Sequence, residues 1–216
     1  MLAAWQGDDF VRLFDGRSLS GWEGDESIFH VEDGSIVGGD SRSAISRNEF
    51  LCTTEQFADF ELRLSVRLSG EGENAGVQFR SQRITDSHRV SGYQADVGFI
   101  PARAIARLSD VTPTDLDSKY PLWGSLYDES RRRRILAVAD RSIVDRVLKE
   151  DDWNEIHVKA AGRRIEIRLN GETTVDFVEE EYVPLSGVIC LQVHAGEPVE
   201  VRYRDIQIRR LESASN

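Results

Sequence analysis

Nowhere in its 216 residues does this chain hold an apolar run near the roughly 20 residues that a membrane-spanning helix needs, so no membrane span is expected. Cysteine is almost absent. Cys52 and Cys190 are the only two, with no Cys-x-x-C pair and no suitably spaced His, which argues against a zinc site. Each lies in a strand-like stretch, where a buried free thiol is expected, with one disulfide as the alternative in an exported protein. Positive charge is scarce: 27 Lys and Arg stand against 38 Asp and Glu, a formal charge of -11. Nucleic-acid surfaces need net or local positive charge, so no nucleic acid is expected as a partner. Helical periodicity is nearly missing and no βαβ spacing occurs, which excludes helix bundles and parallel α/β sheets. The start, MLAAWQGDDF, has neither a basic n-region nor an apolar h-region.

What is present is alternation with period two, the mark of strands with one buried face. In FELRLSVRLS, 60 to 69, Phe60, Leu62, Leu64, Val66 and Leu68 point one way, and Glu61, Arg63, Ser65, Arg67 and Ser69 the other. RRIEIRLNGETTVDF, 163 to 177, repeats the pattern and breaks at Asn170-Gly171, a tight hairpin turn; Asp33-Gly34 reads as a second. Further strands fit 74 to 81, 91 to 98, 134 to 140, 155 to 161 and 186 to 211. About ten short strands predict an all-β, two-sheet antiparallel sandwich or jelly roll. Residues 100 to 122, with Pro101, Pro113 and Pro121, do not alternate and read as a long excursion of functional interest. The expected organisation is an N-terminal extension at 1–9, one domain over 10–211 and a C-terminal tail at 212–216.

Several open-face positions carry side chains suited to polar ligands. Asn74, Gln78 and Arg80 share one strand, Gln94 and Asp96 another, Gln192 and His194 a third, and Arg63 and Arg67 a fourth. Amides, carboxylates, guanidinium and imidazole match sugar hydroxyls in donor–acceptor pairs. Trp123, Tyr127 and Tyr93 offer flat surfaces for sugar C–H faces. Any one of these reads as a solvated strand residue; their concentration on successive strands points to a carbohydrate ligand. The segment WGSLYDESRRRR, 123 to 134, concentrates charge behind two aromatics. The net charge removes a nucleic-acid reading. A site wall is preferred over a solvated loop, with Trp123, Tyr127, Asp128 and Glu129 facing the site. Alternation would send Arg131 and Arg133 to one side and Arg132 and Arg134 to the other, some pairing with Asp128, Glu129 or Asp96.

The motifs FVRLFDGRSLSGWEGD, HVEDGSIVG, ADFELRLSVRL, NAGVQFRS, SGYQADVG and DDWNEIHVKAAGRRIEIRLNGETTVDF follow one another in order. With SGVICLQVHAGEPVEVRYRDIQIRRL they resemble the 3-keto-disaccharide hydrolase family from about Phe10 to Leu211. The resemblance implies a concanavalin A-like lectin/glucanase jelly roll with its site on one sheet, and a bacterial glycosyl hydrolase acting on glycosides oxidised at carbon 3. Two departures stand out: Ser65 and Gln94 occupy positions where family members carry acids.

Ordinary glycosidases need two carboxylates flanking the bond. A 3-keto sugar acidifies its C2 proton, so one base, an enolate stabiliser and an acid for the leaving group suffice. The expected catalytic set is Asp96, His194, Glu129 and Arg80. His194 or Asp96 would be the base, Arg80 the oxyanion partner, and Glu129 or Asp128 the acid. Asn74, Gln78, Gln94, Trp123, Tyr127, Asp128, Gln192 and Arg67 would bind substrate. The sequence specifies no cofactor; a divalent metal could take the role of Arg80, with Asp96 and His194 as a partial ligand set. His30, His88 and His157 read as structural or surface residues. The rivals are a non-catalytic lectin-like module on the same fold and a structural domain meeting a protein. The resemblance favours export to the periplasm or beyond without a signal peptide in this chain, with the cytoplasm as the alternative. The sequence sets no oligomeric state.

Overall fold

The computed structural model describes residues 10–212, so the expected extension at 1–9 and the tail beyond Glu212 lie outside the described residues. The first strands in chain order are β1 (Val11–Arg12), β2 (Trp22–Glu23), β3 (Phe29–Glu32), β4 (Ser35–Asp40) and β5 (Glu49–Thr53). The long central strands are β6 (Phe60–Gly70), β7 (Asn74–Arg83) and β8 (Val90–Pro101). Helix α1 (Ala102–Leu108) precedes β9 (Lys119–Pro121), β10 (Leu126–Glu129) and β11 (Ile135–Ala137). Helix α2 (Arg141–Val147) leads to β12 (Asn154–Ala161), β13 (Arg164–Leu169), β14 (Glu172–Val178), β15 (Val188–Val193) and β16 (Val199–Arg210).

They form two antiparallel sheets. The first runs β14-β13-β12-β6-β16-β4-β3, with β1 beside β16; the second runs β11-β10-β8-β7-β15-β5-β2, with β9 beside β8. The fold is the expected all-β sandwich. Alternation sets its core: Phe60, Leu62, Leu64 and Val66 of β6 are buried, as are Ile156, Val158 and Ala160 of β12 and Ala75, Val77 and Phe79 of β7. Each fully buried Val, Leu, Ile or Phe side chain among them contributes about 1.5–3 kcal/mol. Phe57, Phe60 and Phe79 meet edge to face, and Phe79 stacks on Tyr93 with ring centroids 5.5 Å apart. Both predicted hairpin turns are present, with positive φ at Asp33 (47°) and Gly34 (72°), and at Asn170 (49°) and Gly171 (90°).

Three expectations change. The excursion at 100 to 122 begins inside β8, then forms α1 and β9. The strand expected over 134 to 140 shrinks to β11, and α2 follows, its start capped by Asp140 accepting from the Ser142 backbone N–H at 2.8 Å. Cys52 and Cys190 are not free thiols. They are direct cross-strand partners in β5 and β15, with Cα atoms 4.0 Å apart, and are joined as a disulfide.

Candidate active site

Residues directly paired across neighbouring strands send their side chains to the same face, so the strand register lays out the second sheet's outer face row by row. One row runs Cys52, Cys190, Gln78, Gln94, Tyr127 across β5, β15, β7, β8 and β10. The adjacent row runs Phe50, Gln192, Gly76, Asp96. Glu129 belongs to the same face, opposite Gly92. Apolar patches border this polar strip. Phe50, Val90, Val188 and the disulfide lie on one side, and Ile105 of α1 with Leu122 and Ile135 on the other.

The polar side chains hold one another. The Ser81 hydroxyl donates to Gln78 Oε1 at 3.1 Å, the Gln78 amide donates to Gln94 Oε1, and the Gln94 amide donates to Asp96 Oδ1 at 2.6 Å. This chain orients the Asp96 carboxyl and leaves its other oxygen open. Asp96 Oδ2 and Gln192 Oε1 are buried without a hydrogen-bond partner, on either side of Gly76 in the row. Buried polar atoms are normally satisfied, so two open ones on one strip mark a place where a ligand's hydroxyls would be held. Burial, with the charge of Glu129, outweighs the Gln94 hydrogen bond and pushes the Asp96 carboxyl up to about 8. At neutral pH Asp96 therefore carries a proton. Burial, with Glu129 and Asp96, likewise pushes the Tyr127 phenol up to about 12.

Gly76 was not anticipated, though alternation places it between Asn74 and Gln78 on the open face. A Cβ there would lie 2.3 Å from Gln94 Cδ. Gly76→Ala should therefore push Gln94 aside and release Asp96, while costing about 1–3 kcal/mol of stability. Sugar affinity, measured by calorimetry, should fall at least tenfold in a folded protein; unchanged affinity would show that the Gln94 chain is unimportant.

Asn74, Gln78, Gln94, Asp96, Tyr127, Glu129 and Gln192 thus fall on or beside one face. His194 follows β15 on the same side by alternation, half-buried, with Nδ1 2.6 Å from the Ala195 carbonyl. Asp96 stands two strands from β15, roughly 10 Å across the sheet, so the two do not form a ready ligand pair. Among the described residues, no three His, Cys, Asp or Glu side chains gather to hold a metal.

Five expected contacts lie elsewhere. Arg80 has φ 48° at a register shift in β7, which turns its side chain off the outer face. Its guanidinium is spent on Asp59 Oδ1 (2.8 Å), the Ala58 carbonyl (2.8 Å) and the Gly162 carbonyl (2.7 Å), tying β7 to the first sheet. It is therefore not the oxyanion partner. Asp128 pairs in register with Tyr93, which faces the core, so its carboxylate points inward and is fully buried. There it meets both Arg131 and Arg132. The alternation expected of the four arginines fails because Ser130 and Arg133 both take positive φ. Tyr93 packs in the core and donates to Glu179 Oε2 at 2.6 Å. Trp123 is a core residue too. Arg67 lies on the opposite sheet, its guanidinium 5.2 Å from the Trp153 ring centroid. Ser65 is on that sheet as well, facing outward, so the departure from the family pattern expected there does not touch this face.

No curated protein matches the chain. Among solved structures, a candidate glycosyl hydrolase from Parabacteroides distasonis ATCC 8503 is 18% identical over 95% of both chains, with a TM-score of 0.68. The carbohydrate-binding module CBM66 from Bacillus subtilis is 14% identical over 88% of this chain and 95% of its own, TM-score 0.60. The VIP36 exoplasmic/lumenal domain, in a Ca2+/Man3GlcNAc-bound form, is 13% identical over 90% and 86%, TM-score 0.58. These likenesses establish the fold, a lectin-like sandwich. The family model described as the 3-keto-alpha-glucoside-1,2-lyase-like domain matches residues 9–209, nearly the whole described chain, and points to a sugar-related function. The chain belongs to the 3-keto-alpha-glucoside-1,2-lyase-like domain family.

Proposed function

We propose that the protein cleaves a glycoside carrying a ketone at carbon 3. The observation that supports this most is Asp96: a buried, protonated carboxyl with one open oxygen, on the same sheet face as Glu129, whose charge it feels. A protonated Asp96 cannot begin the reaction as base, so its role becomes that of acid. The base is then Glu129 or His194. It takes the C2 proton, the C2–H electron pair forms the C1=C2 double bond, and the C1–O bond breaks. Asp96 gives its proton to the departing oxygen, and water adds to the double bond afterwards. With Arg80 committed elsewhere, Gln192 is the uncommitted amide beside the site that can donate to the enolate oxygen after a side-chain flip. The Cys52–Cys190 disulfide supports an exported protein.

The test is turnover of a 3-keto disaccharide beside its unoxidised parent, with and without chelator. Sugar release from the keto form alone is expected, and loss of release with chelator would assign the enolate to a metal instead of Gln192. A second reading draws on Gln94, an amide where the family resemblance implies an acid, and on the withdrawal of Arg80. In it the same face binds sugar without turnover, and both substrates bind while neither is cleaved.

A further inference from the structure

A second cavity lies at the open end of the sandwich, away from the face just described. It measures about 310 Å³ and is enclosed by the end of β6, β9, and the segment from Leu148 to Asn154. That is the lower end of the range for small-molecule pockets. Trp123 forms one wall, and its indole N–H is buried without a hydrogen-bond partner. An unmet buried donor is unfavourable unless a partner reaches it. The cavity beside it is the space from which an acceptor could come.

The loop carrying Trp123 also touches the first site, through its other side. The Gly124 backbone N–H donates to the Asp96 carbonyl at 2.9 Å, and the Asp96 N–H donates to the Ser125 carbonyl at 3.0 Å. Trp123 itself turns the opposite way, into the core. The two sites are therefore distinct.

The lining defines the ligand. Leu68, Phe99, Leu148 and the indole are apolar, which suits a ring with C–H faces. Glu73 and the run 150–152 supply four carboxylates against the ammoniums of Lys119 and Lys149, an excess of negative charge that disfavours an anion. The carboxylates do not gather as a cation cage, since no such group occurs among the described residues. Lys119 Nζ donates to Glu73 Oε2 at 2.6 Å, which leaves ammonium protons and a second carboxylate oxygen for a ligand. We infer that this cavity is a second binding site for one unit of a neutral sugar, with Trp123 as wall and donor and the Lys119–Glu73 pair at its rim.

The probe is D-glucose, titrated by calorimetry into the wild type and into Trp123→Phe, Lys119→Ala and Asp96→Asn. Saturable binding is expected in the wild type, and the component belonging to this cavity is expected to persist in Asp96→Asn, which disturbs the first site alone. It should weaken at least tenfold in Trp123→Phe, which keeps a ring but loses the donor, and severalfold in Lys119→Ala. Lys119 is exposed, so that variant carries the test if Trp123→Phe does not fold. Three results would overturn the inference. One is no saturable binding, another is binding lost in Asp96→Asn, and the third is affinity unchanged in the folded cavity variants. Tighter binding of glucose 6-phosphate would also overturn it, because the site would then select an anion.

Discussion

Asp96→Asn should remove a slope from the protein's stability profile and most of its turnover. Asn keeps an acceptor for the Gln94 amide but cannot ionise. In the wild type, burial first and then the charge of Glu129 raise the folded carboxyl to about 8, against an ordinary value of 3.8. A raised folded value means that the stability contribution is complete below about 4 and is lost as pH rises through about 8. Across that window the wild type should lose up to about 1.4 kcal/mol per pH unit that the variant keeps. Urea midpoints at pH 5, 6.5 and 8 check this; parallel profiles for the two proteins would show that Asp96 ionises normally. Turnover of the 3-keto substrate should drop by roughly 10²–10⁴ in the variant. In the wild type it should fall as pH rises past about 8, because the acid must hold its proton.

Much of this site was readable from alternation alone. Gln78, Gln94, Asp96 and Gln192 were placed on open faces of three strands, and the register makes those strands neighbours in the order β15, β7, β8. What alternation cannot carry is a break in itself. Arg80 sits two residues past Gln78 and should share its face, but the left-handed backbone at Arg80 and the register shift there turn it to the first sheet. Arg67 was correctly read as outward, yet which sheet β6 would join depends on long-range pairing that no local pattern encodes. The raised proton affinity of Asp96 likewise depends on burial beneath neighbours distant in sequence. The glycine at position 76 was the overlooked clue, since a strand that leaves one open-face position bare makes room for the Gln94 side chain.

Asp128→Ala should unfold the protein more readily rather than change what it recognises. Asp128 is fully buried and accepts from Arg131 Nε at 2.8 Å and from Arg132. Arg132 also reaches Glu179 at 2.6 Å, and the Arg131 guanidinium lies 4.6 Å from the Tyr93 ring centroid. Burial opposes the charge on Glu179, but hydrogen bonds from Arg132 and Tyr93 outweigh it and hold that carboxyl at about 2. The cluster explains the dense charge of 123 to 134 in an acidic chain: the arginines neutralise buried carboxylates where the loop closes over the sandwich. Removing Asp128 strands guanidinium charge in a buried place, and breaking such a pair costs about 3–5 kcal/mol. A depressed carboxyl contributes stability above its ordinary range and loses it as pH falls, so acid unfolding should sharpen as pH approaches 2. Urea denaturation of Asp128→Ala beside Glu129→Gln separates the roles. The first should lose stability and, at temperatures where it remains folded, keep its sugar affinity; the second should keep stability and lose turnover. An Asp128→Ala protein as stable as the wild type but unable to bind sugar would return Asp128 to the site wall.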